Sequence, residues 1–485
     1  MKRTSVILLS SLSILAFTVF GPSCKNDKAY PQMGGFPVEV GKIFTYKCAT
    51  SGCHNDASYM AANSLNLSSW DKLFEGSTSG SPVIPYSSDF SSLCYFINTY
   101  PSLGPVNAPV MPLNGNALSE EEVKTIKSWI DAGAPDINGK IMWKDNPQRA
   151  KFYVLNQGCD VVTVFDAATN LPMRYITVGN KPGVIESPHK VVVSPDGQYW
   201  YVVFVANSIL QKYRTSDNSL VGEVVLGTDQ NWNTLTITPD GTKGYCISWQ
   251  SSSRLASVDL VNMKVIQNVG GFASPIHGSA LNSTLDTLYI TAQTGNFVYK
   301  VDTGFTSINQ VVLETGQPVK LYSSLDPHEI MFSQDGSMYF VTCQKSNEIR
   351  VMNTATNQLI QAIPCGVYPQ EIAMSKVLNK LYITCSEDST TFGSGRGVLS
   401  VVDISSLQLT NYKVGYLPHG VGVNDQQGYV YVASRNIYST GPAPHHTGVC
   451  SGRNGFVNYF DLASMKLLSK KTEVATDPYS ISVKP

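Results

Sequence analysis

From about residue 150 to the end, the sequence repeats itself, and that periodicity constrains the fold more than any other feature. One unit reads Pro188-His189-Lys190-Val191-Val192-Val193-Ser194-Pro195-Asp196-Gly197, followed by Tyr199-Trp200-Tyr201-Val202-Val203. It is an alternating apolar run, an Asp-Gly hairpin turn and a second run. Related units are anchored at Asn233, His277, His328, Gln370, His419 and Tyr479. Twelve residues after each of the first six anchors stands an aromatic ring: Tyr201, Tyr245, Tyr289, Phe340, Tyr382 and Tyr431. Asp166, Asp259, Asp302 and Asp403 close third strands of similar pattern, and Asp461 closes a related VNYFD run.

Seven anchors spaced by roughly 40 to 60 residues predict seven four-stranded blades. Tyr479 to Pro485 supplies one strand, and the strands near Phe152 to Asp166 lack an anchor of their own. Together they complete one blade, so the ring closes by pairing its last strand with its first and leaves no long open edge. Phe152-Tyr153-Val154-Leu155-Asn156 resembles the YVTN-type repeat of bacterial surface and periplasmic propellers. The resemblance implies a fold and leaves function open, since propellers host many.

Of seven histidines in the chain, four (His189, His277, His328 and His419) occupy the same repeat position. Asn233, Gln370 and Tyr479 stand there in the other blades. First strands line the channel of a propeller, so these side chains form a ring at one mouth. His445 and His446 fall in the loop between the second and third strands of the His419 blade, which returns to the same end. All six imidazoles are therefore expected at one face. Neutral imidazole is a common ligand for copper and other transition metals. The ring is similar to the histidine-rich propeller of nitrous oxide reductases, and that likeness implies a copper or other redox metal held by His189, His277, His328, His419, His445 and His446. Two other readings stay open: a metal-free ligand site, and histidines that only bond neighbouring backbone.

The segment 36–140 has a different character. Cys48-Ala49-Thr50-Ser51-Gly52-Cys53-His54 sets two thiols and an adjacent imidazole together. This is the arrangement that attaches haem c, with both sulfurs bonded to the porphyrin and the histidine held as axial ligand. The usual spacer of two residues is four here, and Gly52 can supply the freedom to bulge. A Cys48–Cys53 disulfide is the alternative. Further on, Asn107-Ala108-Pro109-Val110-Met111-Pro112 sets a thioether in a turn-rich loop. Ser119, with Glu122 at capping-box spacing, opens a helix whose apolar face is Val123, Ile126, Trp129 and Ile130, and Gly133 can end it.

These three motifs, in this order, resemble the cytochrome c domains of secreted bacterial proteins. The resemblance implies a small all-α domain carrying haem c, with Cys48 and Cys53 as attachment points and His54 and Met111 as axial iron ligands. Met111 as an ordinary core methionine is the other reading. Haem c followed by a propeller also resembles the haem nitrite reductases, which have eight blades and a second haem.

Lys2 and Arg3 precede an apolar run from Val6 to Phe20 that is too short to span a bilayer. Residues 1–23 therefore read as a secretory signal. Cys24, after Gly21-Pro22-Ser23, resembles a bacterial lipoprotein lipidation site. The implied location is the outer membrane, facing periplasm or cell surface, with the membrane touched through a lipid anchor only. A net charge of -1 excludes nucleic acid as a partner. Cys343 and Cys385 sit within apolar second strands and read as core, as does Cys94. Cys450 could assist the histidines or pair with Cys159. Arg396 and Arg453, in comparable loops, could bind an anion or lie solvated.

The expectation is an exported haem c electron-transfer protein of two domains, 36–140 and 150–485, whose propeller carries a histidine-ligated redox metal or ligand site at one channel mouth and could make the chain an oxidoreductase. A redox protein or a small-molecule electron donor or acceptor would be its partner. The alternative is a non-catalytic binding propeller with an accessory cytochrome domain.

Overall fold

The computed structural model describes residues 33–485 except 229, 230, 251, 394 and 447. Residues 1–23, read as a secretory signal, and Cys24 lie outside the described residues.

Seven four-stranded antiparallel sheets follow one another around a ring. Six are continuous in sequence: 188–225, 232–269, 276–312, 327–364, 369–413 and 418–476 (blades 1 to 6). Blade 7 pairs Pro478–Val483 with Lys151–Asn156, and Val161–Asp166 and Leu171–Thr177 complete it. The closure expected from the unpaired terminal strands is therefore the one observed. In blades 1, 2 and 4 the Asp-Gly turns share one geometry. Gly197, Gly241 and Gly336 take left-handed φ of +68°, +71° and +71°, and the strand ends join through bonds such as Ser194 N–H to Tyr199 O at 2.8 Å.

Every first strand is irregular at its anchor. Pairing with the second strand skips residues at His189, Asn233, His277, His328, Gln370, His419 and Tyr479. Such a bulge breaks strict alternation, so the anchor and the residue after it can both address the channel. Neighbouring first strands also approach closely. A Cβ on Gly278 would lie 2.5 Å from the His328 carbonyl oxygen, and one on Gly420 would lie 2.8 Å from that of Tyr479. Threonines fourteen residues past three anchors stitch each blade to the next. Thr291 Oγ1 donates to His328 O at 2.8 Å, Thr342 Oγ1 to Gln370 O at 3.1 Å, and Thr384 Oγ1 to His419 O.

Among the described residues the N-terminal part carries four short α-helices: α1 (Val38–Ile43), α2 (Trp70–Leu73), α3 (Ser92–Ile97) and α4 (Glu120–Asp131). Only α4 exceeds two turns. It has the expected capping box, with both Ser119–Glu122 bonds present, and it buries Val123, Ile126, Trp129 and Ile130. Around it Phe36, Phe44 and Trp129 meet edge to face, with ring centres 4.9 to 6.0 Å apart.

A separate all-α domain is not what this segment forms. Between the helices it is turns and irregular backbone, and its core continues without a break into Tyr153, Leu155, Leu171 and Met173 of blade 7. Helices of four and six residues cannot bury a core among themselves, so the segment completes its core on the propeller flank. No helix among the described residues is long and apolar enough to cross a membrane.

Candidate functional site

The N-terminal segment lines most of an open cleft of about 490 Å³. Its wall includes Cys48, Cys53, His54 and Met111, together with apolar side chains such as Leu65, Leu93 and Phe96. Helix α1 runs into a wider turn, Phe44–Cys48, whose last residue presents the first sulfur. The four-residue spacer then closes on itself. Cys53 N–H donates to Thr50 O at 3.0 Å, and His54 N–H returns to Cys48 O at 3.2 Å. Gly52 takes φ +80° with open space where a Cβ would stand, so the bulge that the longer spacer needs is present. Lys47 pairs with Glu122 at 2.6 Å and ties this turn to the start of α4.

The chemistry of the donors is specific. Cys48 and Cys53 are both free thiols, so the alternative disulfide does not form. Burial pushes the Cys48 thiol up to about 12, and it stays protonated at neutral pH. His54 Nδ1 lies 3.1 Å from Leu65 O. A carbonyl only accepts, so Nδ1 carries the proton and Nε2 keeps its lone pair. Burial holds the His54 pKa below the ordinary imidazole value, which favours the same neutral form. Met111 N–H donates to Phe96 O at 2.8 Å, which fastens the methionine loop to α3.

A second polar cluster fills the propeller channel. His189, His277, His328 and His419 are joined there by Tyr479. Ring centres are 3.8 Å apart for His277–His328, 3.6 Å for His419–Tyr479 and 4.4 Å for Tyr479–His189. His189–His277 and His328–His419, each separated by one blade, are 6.1 and 6.5 Å apart. Burial holds the His189, His328 and His419 pKa values well below the ordinary imidazole value and lowers that of His277 to about 3. All four are neutral at physiological pH. Gln157 Nε2 donates to His189 Nδ1 at 3.0 Å, and His419 Nδ1 donates to Tyr479 O at 2.9 Å.

Beside this ring lies a second one that the sequence reading missed. The residue after each anchor is Lys190 in blade 1, Glu329 in blade 4 and Glu371 in blade 5. The Lys190 ammonium reaches across the channel to Glu371 and lies 3.7 Å from Glu329. Burial pushes the Glu329 carboxyl up, to about 7, against the pull of Lys190. Three charges at one repeat position were legible as a pattern, but only with the bulge in view does that position turn inward. Among the described residues, no three His, Cys, Asp or Glu side chains are grouped as a metal-ligand set.

The expectation that all six propeller imidazoles gather at one site is corrected. His445 and His446 leave the channel and pack against the N-terminal segment, with ring centres 5.6 Å from Phe96 and 5.0 Å from Tyr95 respectively. Their loop is long, and the Cys159–Cys450 disulfide fastens it to blade 7. Glu473 accepts from the His445 backbone N–H at 2.7 Å. The loop is thereby anchored at the outer flank, and Cys450 is a disulfide partner instead of a ligand. Arg396 pairs with Glu387, and Arg453 donates to Pro442 O at 2.8 Å, so both arginines are engaged within their own loops. Cys94, Cys343 and Cys385 are buried.

Fold and sites together define a seven-bladed propeller with a thiol- and imidazole-lined cleft on its flank. No family model matches the chain, and no curated protein does. Similar folds occur among solved structures. The periplasmic gluconolactonase of Pseudomonas aeruginosa is 16% identical, covers 69% of this chain and 99% of its own, and has a TM-score of 0.53. A putative 6-phosphogluconolactonase of Bacteroides fragilis is 12% identical, with 70% and 99% covered and a TM-score of 0.52. A functionally unknown protein of Desulfotomaculum acetoxidans is 17% identical, with 69% and 98% covered and the same TM-score, 0.52. At these identities the likeness concerns the propeller fold alone.

Proposed function

We propose that this is an exported electron-transfer protein holding one haem c in the cleft of its N-terminal segment. Cys48 and Cys53 would attach the porphyrin by thioether bonds, His54 would be one axial ligand and Met111 the other. The single observation that carries the reading is His54. It sits directly after the second thiol, its Nδ1 proton is engaged by Leu65 O, and its Nε2 is left for a ligand on an apolar cavity wall. A metal-ligating histidine needs this outer bond to fix its tautomer and orientation. The cavity volume, about 490 Å³, is within the range of cofactor sites.

When bound, the iron would supply one-electron chemistry between its ferric and ferrous forms. The chain's own contributions are distinct from that. Lys47–Glu122 and the closed Cys48–His54 loop hold both sulfurs and the imidazole on one wall. The Met111–Phe96 bond places a thioether on another part of it. The apolar lining keeps water and stray ligands away from the centre, a condition under which ligation stays fixed during electron transfer. The electron partner would be a protein or a small-molecule donor or acceptor. The proposed setting is the cell envelope, reached through the signal in residues 1–23 and a lipid on Cys24.

In this reading the propeller is a docking or ligand-binding body and not a second redox centre. In the channel His189 accepts from Gln157 Nε2 and His419 donates to Tyr479 O, while His277 Nδ1 and His328 Nε2 find no hydrogen-bond partner among the described residues. The Lys190 ammonium stands beside these rings, and its positive charge opposes a bound cation.

The test is a reduced-minus-oxidised visible spectrum of protein purified from a host competent in haem c maturation. One covalently held haem per chain, retained on a denaturing gel as peroxidase-active pigment, is the expected result. Colourless protein from that host ends the reading.

A further inference from the structure

The cavity wall is not made by the N-terminal segment alone. His445, from the loop between the second and third strands of blade 6, lines the same cavity as Cys48, Cys53, His54 and Met111. Its ring centre is 5.6 Å from that of Phe96, whose backbone carbonyl accepts the Met111 N–H. The loop has reasons to stay there. Cys450 is bonded to Cys159 of blade 7. Glu473 accepts from the His445 backbone N–H at 2.7 Å and from Asn454 Nδ2 at 2.8 Å. His446, next in sequence, turns instead towards Glu473 and Tyr95, away from the cavity lining. Two adjacent imidazoles, with rings at 89° to each other, thus serve different sides of one junction.

We propose that the haem cleft is a composite site, and that His445, presented by the propeller, is a haem-contacting residue that raises the reduction potential of the group bound there. The inference rests on the haem reading above. Its physical basis is that the ferrous site carries one positive charge fewer at the iron than the ferric. Hydrogen bonding and shielding from water at the cleft therefore set the balance between the two forms. The His445 imidazole is exposed at the rim of the cavity, on the wall it shares with Met111, and from there it offers a polar N–H to the bound group. The propeller then has a role in the electron-transfer function: it completes the cleft, and the potential depends on its being docked.

The experiment is a potentiometric titration of full-length, haem-loaded protein carrying His445→Ala, His445→Gln or His446→Ala, followed by visible absorbance. The expected result for H445A is a lower midpoint potential, with the reduced-to-oxidised ratio at fixed potential falling about tenfold, which is about 59 mV for one electron. H445Q, which keeps an N–H donor, recovers most of the shift, and H446A leaves the midpoint in place. Loss of haem from H445A alone, with H446A fully loaded, also supports the contact. Unchanged midpoints in H445A overturn the proposal while leaving the haem reading intact. Equal shifts in H445A and H446A overturn it too, because they assign the effect to the junction as a whole. Protein with no haem in any form overturns both readings at once.

Discussion

The cleft histidine and the channel histidines make an instructive pair. His54 is half-buried on the cleft wall and the four imidazoles of the propeller ring lie within the channel, and burial lowers the pKa of all five. They differ in what surrounds the second nitrogen. His54 spends one nitrogen on Leu65 O and turns the other towards an apolar cavity with two free thiols and a thioether on its wall. The channel rings face one another, with Lys190, Glu329 and Glu371 one residue further along the strands. Four histidines at one repeat position looked like the stronger ligand set, yet it is the single histidine that lines an open cleft. Number of donors matters less than whether they converge on space that something else can fill.

The comparison breaks most decisively at the thiols. Cys48→Ser with Cys53→Ser removes both proposed attachment points and is expected to abolish covalent pigment completely, read as peroxidase stain after denaturing electrophoresis. Substituting all four channel histidines by Gln should leave that stain present in whatever protein folds. Pigment lost from the channel variant and kept by the thiol variant would reverse the assignment.

The charged centre of the channel gives the next largest effect. Lys190→Met leaves Glu329 and Glu371 facing each other in a buried channel without their cation. A loss of about 3–5 kcal/mol of propeller stability is expected, measured by denaturant unfolding. Lys190→Met combined with Glu329→Gln and Glu371→Gln should recover much of it, because no unpaired charge is then left.

The channel imidazoles also set the response to acid. Their folded pKa values lie below the unfolded value, so below about pH 6.5 the unfolded chain binds protons that the folded chain refuses. Stability is present in full above that pH and is lost as pH falls. The loss is up to about 1.4 kcal/mol per imidazole for each pH unit. Glu329 acts in the opposite sense. Its folded pKa is raised, so its charged form costs stability as pH rises from the ordinary carboxyl range through about 7. One carboxyl against four imidazoles leaves a net acid lability, read as a melting temperature that falls between pH 6.5 and 5. Glu329→Gln should steepen that fall, since it removes the opposing group.

Smaller effects sharpen the boundary between the two regions. Reducing Cys159–Cys450 frees the loop that joins blade 6, blade 7 and the cleft, at a cost of about 2–4 kcal/mol. Ser119→Ala removes one bond of the α4 capping box and is expected to cost about 1 kcal/mol, by thermal unfolding. If the cleft and the propeller share one core, as the continuity through Leu171 and Met173 indicates, both changes act on a single cooperative transition.

Much of this was legible from the chain alone. The anchors gave seven blades, and the lone strand at Tyr479 gave the closure. The capping box at Ser119 gave α4, and the Cys48–His54 spacing gave the cleft donors. Each is local, because strand alternation, turn chemistry and helix capping are fixed by neighbours within a few residues. What failed was the placement of groups by loops. His445 and His446 were assigned to the channel from chain direction, and a long loop is free to go elsewhere once Cys450 meets Cys159.

The sequence by itself therefore determined the ring of blades, the long helix and the pairing of thiols with imidazole, since short-range geometry dictates all three. Tertiary structure alone decided which side chains meet. The bulge at every anchor turned Lys190, Glu329 and Glu371 towards one another. Helices too short to bury their own core set the N-terminal segment on blade 7, and that docking brought an imidazole from blade 6 to the cleft. Contacts between residues hundreds of positions apart depend on how whole surfaces fit, and no local pattern encodes that fit.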